Sequence, residues 1–495
     1  MKFTGLVLLF IGAVSSVTWA DSVAPGVAMP LTTKSNKVRA LVELAYKLDA
    51  DTVQQDKAIA VMRKVVKLDP NFAMGHQILA QISLDPREQV EQQQKAFATR
   101  KHASPAEQTV IDWFENAADH KLIPAIMNMN EVLRQYPHDR WLVFLANFWL
   151  MSQTQYERAA EVYESSGISD SPGLINNAAY TYANMRKFDK AFRLMDKYVA
   201  LLPAEPNPQD SYAELLRMAG RYDEALKHYQ AALAINPRFY SSQFGIADTY
   251  FLMGEEPRAR RAYDTTFANF PAIPILSQIQ WRTNEASTYL REGDFEGARR
   301  AFQTIADGAH RQGMSQVEAD IYRQMAIFEP QPEQALALLN KADTALHVRT
   351  HASPTSIQQE AAEILRTRIE VGLKTGDKQT ADRALASLAS LSEGSSDKVI
   401  ESSYQGAAGA CLFFAHMYKQ SIPHLEEDAD NPWSLKRLVV ACRRTKDVVR
   451  AKRAEDILAN YNTPGVDQAL VVPPFRKSLE TPLTNGKVKR ASLQP

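Results

Sequence analysis

His347 and His351 stand four residues apart, a spacing that puts two imidazoles on one side of a helix and could open a metal site. Two ligands do not complete such a site, and Thr350 to Pro354 reads as a helix break, so no metal is expected. Cys411 and Cys442 are the only cysteines, 31 residues apart. In an oxidising compartment they could close a loop that adds roughly 3 to 4 kcal/mol in the chain-entropy model, or they could stay two buried thiols. The residues alone leave both open. His416 and His424 flank a turn and read as solvated or core histidines. Gly406 and Gly409 lie inside the helical stretch AAGACLFFAHMY, where small residues serve packing rather than phosphate binding. The sequence contains no HExxH, no P-loop, no GxSxG, no paired CxxC and no kinase HRD or DFG motif. No catalytic residue and no cofactor is therefore expected, and an enzyme with an unrecognised site is the weakest of the readings.

What could position such residues is a repeat. Pro203, Pro237 and Pro271 fall 34 residues apart, and Ala191, Ala225 and Ala259 precede them by twelve. With the residue 31 before each proline as position 1, position 8 holds Ala179, Ala213 and Ala247. Position 11 holds Tyr182, Leu216 and Tyr250, and position 24 holds Met195, Tyr229 and Tyr263. Small side chains let two antiparallel helices cross closely, and the large ones fill the space between successive hairpins. Gly220 and Gly254 suit the turn inside each hairpin, where a left-handed residue is favoured, and the prolines stop the second helix. With looser spacing the pattern reaches Ala58 with Pro70, Ala125 with Pro137, Ala159 with Tyr163 and Ala298 with Phe302. Ten to twelve hairpins fit the chain.

This pattern resembles the tetratricopeptide repeat family, with small residues at positions 8 and 20, aromatics near 11, 17 and 24, and proline at 32. Arg221 to Pro237, RYDEALKHYQAALAINP, is the segment most similar to the motif. The resemblance implies an all-α fold, an α-solenoid of stacked antiparallel helix hairpins wound as a right-handed superhelix. Residues 38–305 form the array, with 172–305 the best match, and 306–462 continue it as divergent helical repeats. It also implies that the first helices line an inner groove at positions 2, 5, 9, 12 and 13, which hold a partner peptide or protein. Read onto this chain, those positions include Trp141, Phe144 and Phe148, Asn176, Tyr180 and Asn184, Asp210, Glu214 and Arg217, and Phe244, Asp248 and Phe251. Family members that clamp acidic peptide termini carry lysine at 5 and asparagine at 9. Here Asp210 and Glu214, or Phe244 and Asp248, stand instead, which favours a ligand with apolar, basic or amide groups. Against this, the run WLVFLANFWL reads as inter-repeat core, and Asp210, Glu214 and Asp248 as an ordinary solvated face.

Hydrophobic residues make up 45% of 495, enough for a sizeable core, and 57 basic residues balance 57 acidic ones, which argues against nucleic acid as a main partner. Lys2 followed by the apolar run Phe3 to Val14, with Ala20 before Asp21, predicts a signal peptide over 1–20. Residues 21–37 read as a flexible linker, and 463–495 as a disordered, proline-rich basic tail whose VVPPFRKSL could be a linear recognition segment. Ser104 with Glu107 predicts a capping box at the phrase KHASPAEQ. Taken together these features predict an exported, periplasmic or secreted scaffold of the bacterial envelope, without a membrane span after cleavage, that binds a protein or peptide. The alternative is a structural, self-associating module, a homo-oligomer in an envelope assembly.

Overall fold

The computed structural model describes residues 28–119, 121–348, 353–395 and 397–480. The expected signal peptide, the first part of the linker, His351 and the end of the tail lie outside them. The chain divides into two compact units, one of residues 1–249, 262–280 and 351–355, the other of 250–261, 281–350 and 356–495.

Helices come in pairs joined by short turns, which makes neighbours antiparallel. They are α1 Asn36–Tyr46 and α2 Gln55–Leu68; α3 Ala73–Ile82 and α4 Pro86–Thr99; α5 Pro105–Ala118 and α6 Leu122–Gln135; α7 Arg140–Ser152 and α8 Tyr156–Ser166. Next come α9 Pro172–Asn184 and α10 Phe188–Leu201; α11 Pro206–Met218 and α12 Tyr222–Ile235; α13 Tyr240–Met253 and α14 Glu256–Asn269; α15 Ile275–Glu292 and α16 Phe295–Arg311. The later pairs are α17 Ser315–Phe328 and α18 Pro332–His347; α19 Pro354–Thr375 and α20 Lys378–Glu393; α21 Lys398–Phe414 and α22 Tyr418–Glu426; α23 Pro432–Arg444 and α24 Val448–Ala459; a last helix, α25, spans Val466–Glu480. The fold is all-α, a stack of hairpins of the α-solenoid kind.

The predicted crossing points are its packing centres. Ala58, Ala125, Ala159, Ala191, Ala213, Ala225, Ala247, Ala259 and Ala298 are all fully buried, and Met195, Tyr229 and Tyr263 fill the space beside them. Helices α10, α12 and α14 each end two residues before Pro203, Pro237 and Pro271. Gly220 and Gly254 have φ of 77° and 84°, the left-handed conformation expected of them. The capping box forms: the Ser104 hydroxyl accepts from the Glu107 N–H, and the Glu107 carboxylate accepts from the Ser104 N–H.

Two expectations of disorder fail. Residues 28–35 are not a free linker, because Met29 and Thr33 are buried and α1 already starts at Asn36. Residues 466–480 are helical despite Pro473 and Pro474 inside the helix, each of which removes a backbone donor. Burial of Val471, Val472 and Phe475 in one core with Leu435, Val439 and Leu458 offsets that loss.

Candidate partner-binding surface

The twelve residues placed on the inner stripe lie on α7, α9, α11 and α13, but nine of them are buried. Only Trp141, Phe148 and Asn184 keep partial exposure. Phe144 stacks on Phe148 with ring centroids 6.5 Å apart. Asn184 donates to the Tyr180 carbonyl at 2.9 Å, and the Asn176 side-chain oxygen is buried without a hydrogen-bond partner among the described residues. Phe244 packs edge-on to Phe267 at 4.8 Å. Phe251 is fully buried in the other unit.

The acidic part of the stripe is internal. Tyr180 donates to Glu214 Oε2 at 2.7 Å, and Arg217 donates to Glu214 Oε1 at 2.9 Å and to Asp248 Oδ2 at 3.5 Å. The Ser242 hydroxyl donates to Asp210 Oδ1 at 2.6 Å, and the Tyr263 hydroxyl to Asp248 Oδ1. Tyr180, Glu214 and Asp248 are each 34 residues apart, so the repeat period itself builds the ladder. Burial pushes the Asp210 carboxyl up to about 7 and raises Glu214 as well, against the pull of Arg217. Burial alone would lower the Arg217 guanidinium, but Tyr229, Asp248 and Glu214 around it hold it above its usual range. The expected negatively charged wall, with its preference for basic ligands, is thus replaced by a neutralised buried network.

Part of α7 and the start of α9 are covered by the chain itself. After α1 the backbone makes a π-helical turn, Lys47–Asp51, which packs on α9. The Gly173 N–H donates to Asp51 Oδ1 at 3.3 Å, Tyr46 and Ser171 share a hydroxyl contact at 3.3 Å, and the Tyr46 ring stands edge-on to Phe144 at 6.3 Å. Every residue of α9 from Pro172 to Ala183 is buried, between this turn and the neighbouring helices α7, α8, α10 and α11. No local pattern announces contacts across more than 120 residues.

Other candidate chemistry resolves locally. The His347 ring bonds the Asp343 carbonyl at 2.7 Å, and among the described residues no group of three or more His, Cys, Asp or Glu could hold a metal. Cys411 and Cys442 are unbridged, and burial pushes both thiols up to about 11. Among the described residues no helix is long and apolar enough to cross a membrane.

The hairpins α11 to α14 carry small residues, left-handed glycines and closing prolines in one 34-residue register, and the tetratricopeptide repeat family model matches residues 216–274. Those residues carry a tetratricopeptide repeat match. The chain as a whole is similar to solved structures at low identity. Yeast Tom70 is 13% identical over 91% of this chain and 100% of that one, with a TM-score of 0.42. A tetratricopeptide repeat protein from Parabacteroides merdae ATCC 43184 is 15% identical over 52% of this chain and 98% of that one, at 0.35. PilW, a widely conserved type IV pilus biogenesis factor, is 12% identical over 50% of this chain and 98% of that one, at 0.30. No curated protein matches the chain. Such repeats provide surface for protein partners, and their fold alone specifies no reacting group.

Proposed function

We propose that this chain is a non-catalytic protein–protein interaction scaffold of the cell envelope, exported through its first twenty residues and working in the periplasm or outside the cell. The observation that carries the reading is the tetratricopeptide hairpin stack whose first helices leave Trp141, Phe148 and Asn184 partly accessible. With Asp210, Glu214 and Asp248 neutralised inside, a partner polypeptide meets aromatic and amide groups there, which supply contact area and hydrogen bonding rather than charge steering.

Partners captured from envelope extracts by residues 21–495 are compared with those captured by a Trp141→Ala/Phe148→Ala variant of unchanged helicity. A partner lost only by the variant supports this face as the site. Equal capture by both removes the face from consideration. The N-terminal sequence of the protein recovered from the envelope fraction tests export, with Asp21 the expected first residue; a chain still starting at Met1 would contradict it.

A further inference from the structure

Residues 28–34 run as an extended segment along the entrances of three consecutive first helices. Met29 and Thr33 are buried and Leu31 is half-buried, whereas Ala28, Pro30, Thr32 and Lys34 are exposed. That alternation is the period of two expected of an extended chain with one side against a surface. Three carboxylates hold the segment. The Met29 N–H donates to Asp139 Oδ2 at 2.7 Å, Thr32 donates its N–H to Glu107 Oε1 at 3.0 Å and its hydroxyl to Oε2 at 2.6 Å, and the Thr33 hydroxyl donates to Asp69 Oδ2 at 2.8 Å. Asp139 caps α7, Glu107 lies in the first turn of α5, and Asp69 follows α2 at the approach to α3. One segment is thus held, in reverse order, by the end of the first hairpin and by the starts of the third and fourth.

The acceptors are built into the scaffold. Asp139 fixes its other oxygen on the Leu142 N–H at 2.9 Å, and Glu107 Oε2 also accepts from the Ser104 N–H at 2.8 Å. Both carboxylates are therefore oriented by their own helices, and what remains of their accepting capacity points at the segment. Met29 is part of the same apolar core as residues of α2 to α10, and Leu31 packs against that core. Main-chain donors on fixed acceptors, with alternate side chains in an apolar surface, is how a scaffold holds an extended peptide.

We propose that Asp69, Glu107 and Asp139 form a docking row for an extended peptide of alternating apolar pattern ending in hydroxyl side chains, and that the chain's own residues 28–34 occupy it as an exchangeable arm. This deepens the scaffold reading by assigning a ligand class, but it uses none of Trp141, Phe148 or Asn184, so the two fail separately. A free peptide with the arm's pattern competes with the arm for the same acceptors.

The test uses residues 21–495 and a Met29→Arg/Thr32→Val variant, which buries a charge against the core and removes one hydroxyl while leaving the carboxylate row intact. Hydrogen exchange is expected to quicken at least tenfold in residues 29–34 of the variant, with α3, α5 and α7 as protected as before. A labelled synthetic peptide of residues 27–35 is expected to bind the variant at least tenfold more tightly than the unaltered chain, and the same peptide carrying Met29→Arg is expected not to bind. Loss of protection in α3, α5 and α7 together with the arm would make the arm a fixed core element and overturn the proposal. So would unchanged exchange of residues 29–34 in the variant, or a released arm that leaves a row unable to take the peptide.

Discussion

Single residues carry most of what is unusual in these hairpins. Gly220 and Gly254 occupy left-handed turns, and Thr154, Arg186, His416 and Lys446 adopt the same conformation at the equivalent turns, with φ between 56° and 64°. The glycines were legible because only glycine takes that conformation without penalty; the others were not, because the hairpin imposes it against local preference. Thr154, β-branched, bears the largest strain, so Thr154→Gly is expected to raise the unfolding free energy by roughly 0.5–1 kcal/mol in urea titration, strain relief exceeding the added chain entropy. Asp210 makes a pH prediction. Its carboxyl is raised from 3.8 to about 7 by burial, so its ionisation is disfavoured only in the folded chain. The cost is absent below pH 3.8 and grows as pH climbs toward 7, so this group makes the protein less stable at pH 8 than at pH 5. Asp210→Asn keeps an acceptor for Ser242 and is expected to flatten that dependence. Unfolding free energies of both proteins at pH 5 and 8 measure it; a variant with the same pH slope as the parent would refute the assignment.

At the scale of elements, charge placed on one helix face organises the second unit. Glu360, Glu363, Arg366 and Glu370 succeed one another on α19 at helical spacing and reach Arg323 on α17, Ser403 on α21, and Asp428, Ser434 and Arg437 at or on α23. The Ser434 hydroxyl donates to Asp428 Oδ2 at 2.6 Å, and Asp428 is 1% exposed. A Cβ at Gly406 would lie 2.4 Å from that oxygen and 2.6 Å from an Arg366 guanidinium nitrogen, so a larger residue on α21 would have to displace the pair. The Arg366→Met variant fills similar volume but strands a buried carboxylate, and is expected to cost about 3–5 kcal/mol. Arg366→Met with Asp428→Asn is expected to recover part of that loss, as a double-mutant cycle in urea would show. The glycines of this stretch were legible as packing residues, but their charged neighbours were not, because ion pairing between hairpins leaves no 34-residue mark where the closing prolines are missing. Helix α25 shows the opposite failure. Its prolines outweigh its apolar residues in any local reading, and only the uncovered face of the last hairpin makes the helix favourable.

Across the whole molecule, the small-residue column fixed the architecture in advance because each hairpin packs mainly on its neighbours, so a 34-residue window holds nearly all the information needed. The burial of the start of α9 escaped the same window because it involves contacts between the first hairpin and the fifth. Gly173 is the tightest point of that closure, since a Cβ there would lie 2.2 Å from the Ala50 carbonyl oxygen and 3.1 Å from the Ala50 methyl. Val53, with φ of 53°, shows that the turn bears strain for a β-branched residue while docked, so its place depends on what α9 offers. Gly173→Ala is expected to cost roughly 1–3 kcal/mol by overpacking if the closure is rigid. A turn that yields instead relieves the clash by leaving α9, so exchange in residues 46–54 quickens while α9 and α10 keep their alanine-centred packing. Hydrogen exchange separates the two outcomes. Faster exchange confined to residues 46–54 means that the turn can leave Phe144 and the start of α9 without unfolding, whereas exchange rising equally through α7, α9 and α10 means that the turn is part of the core.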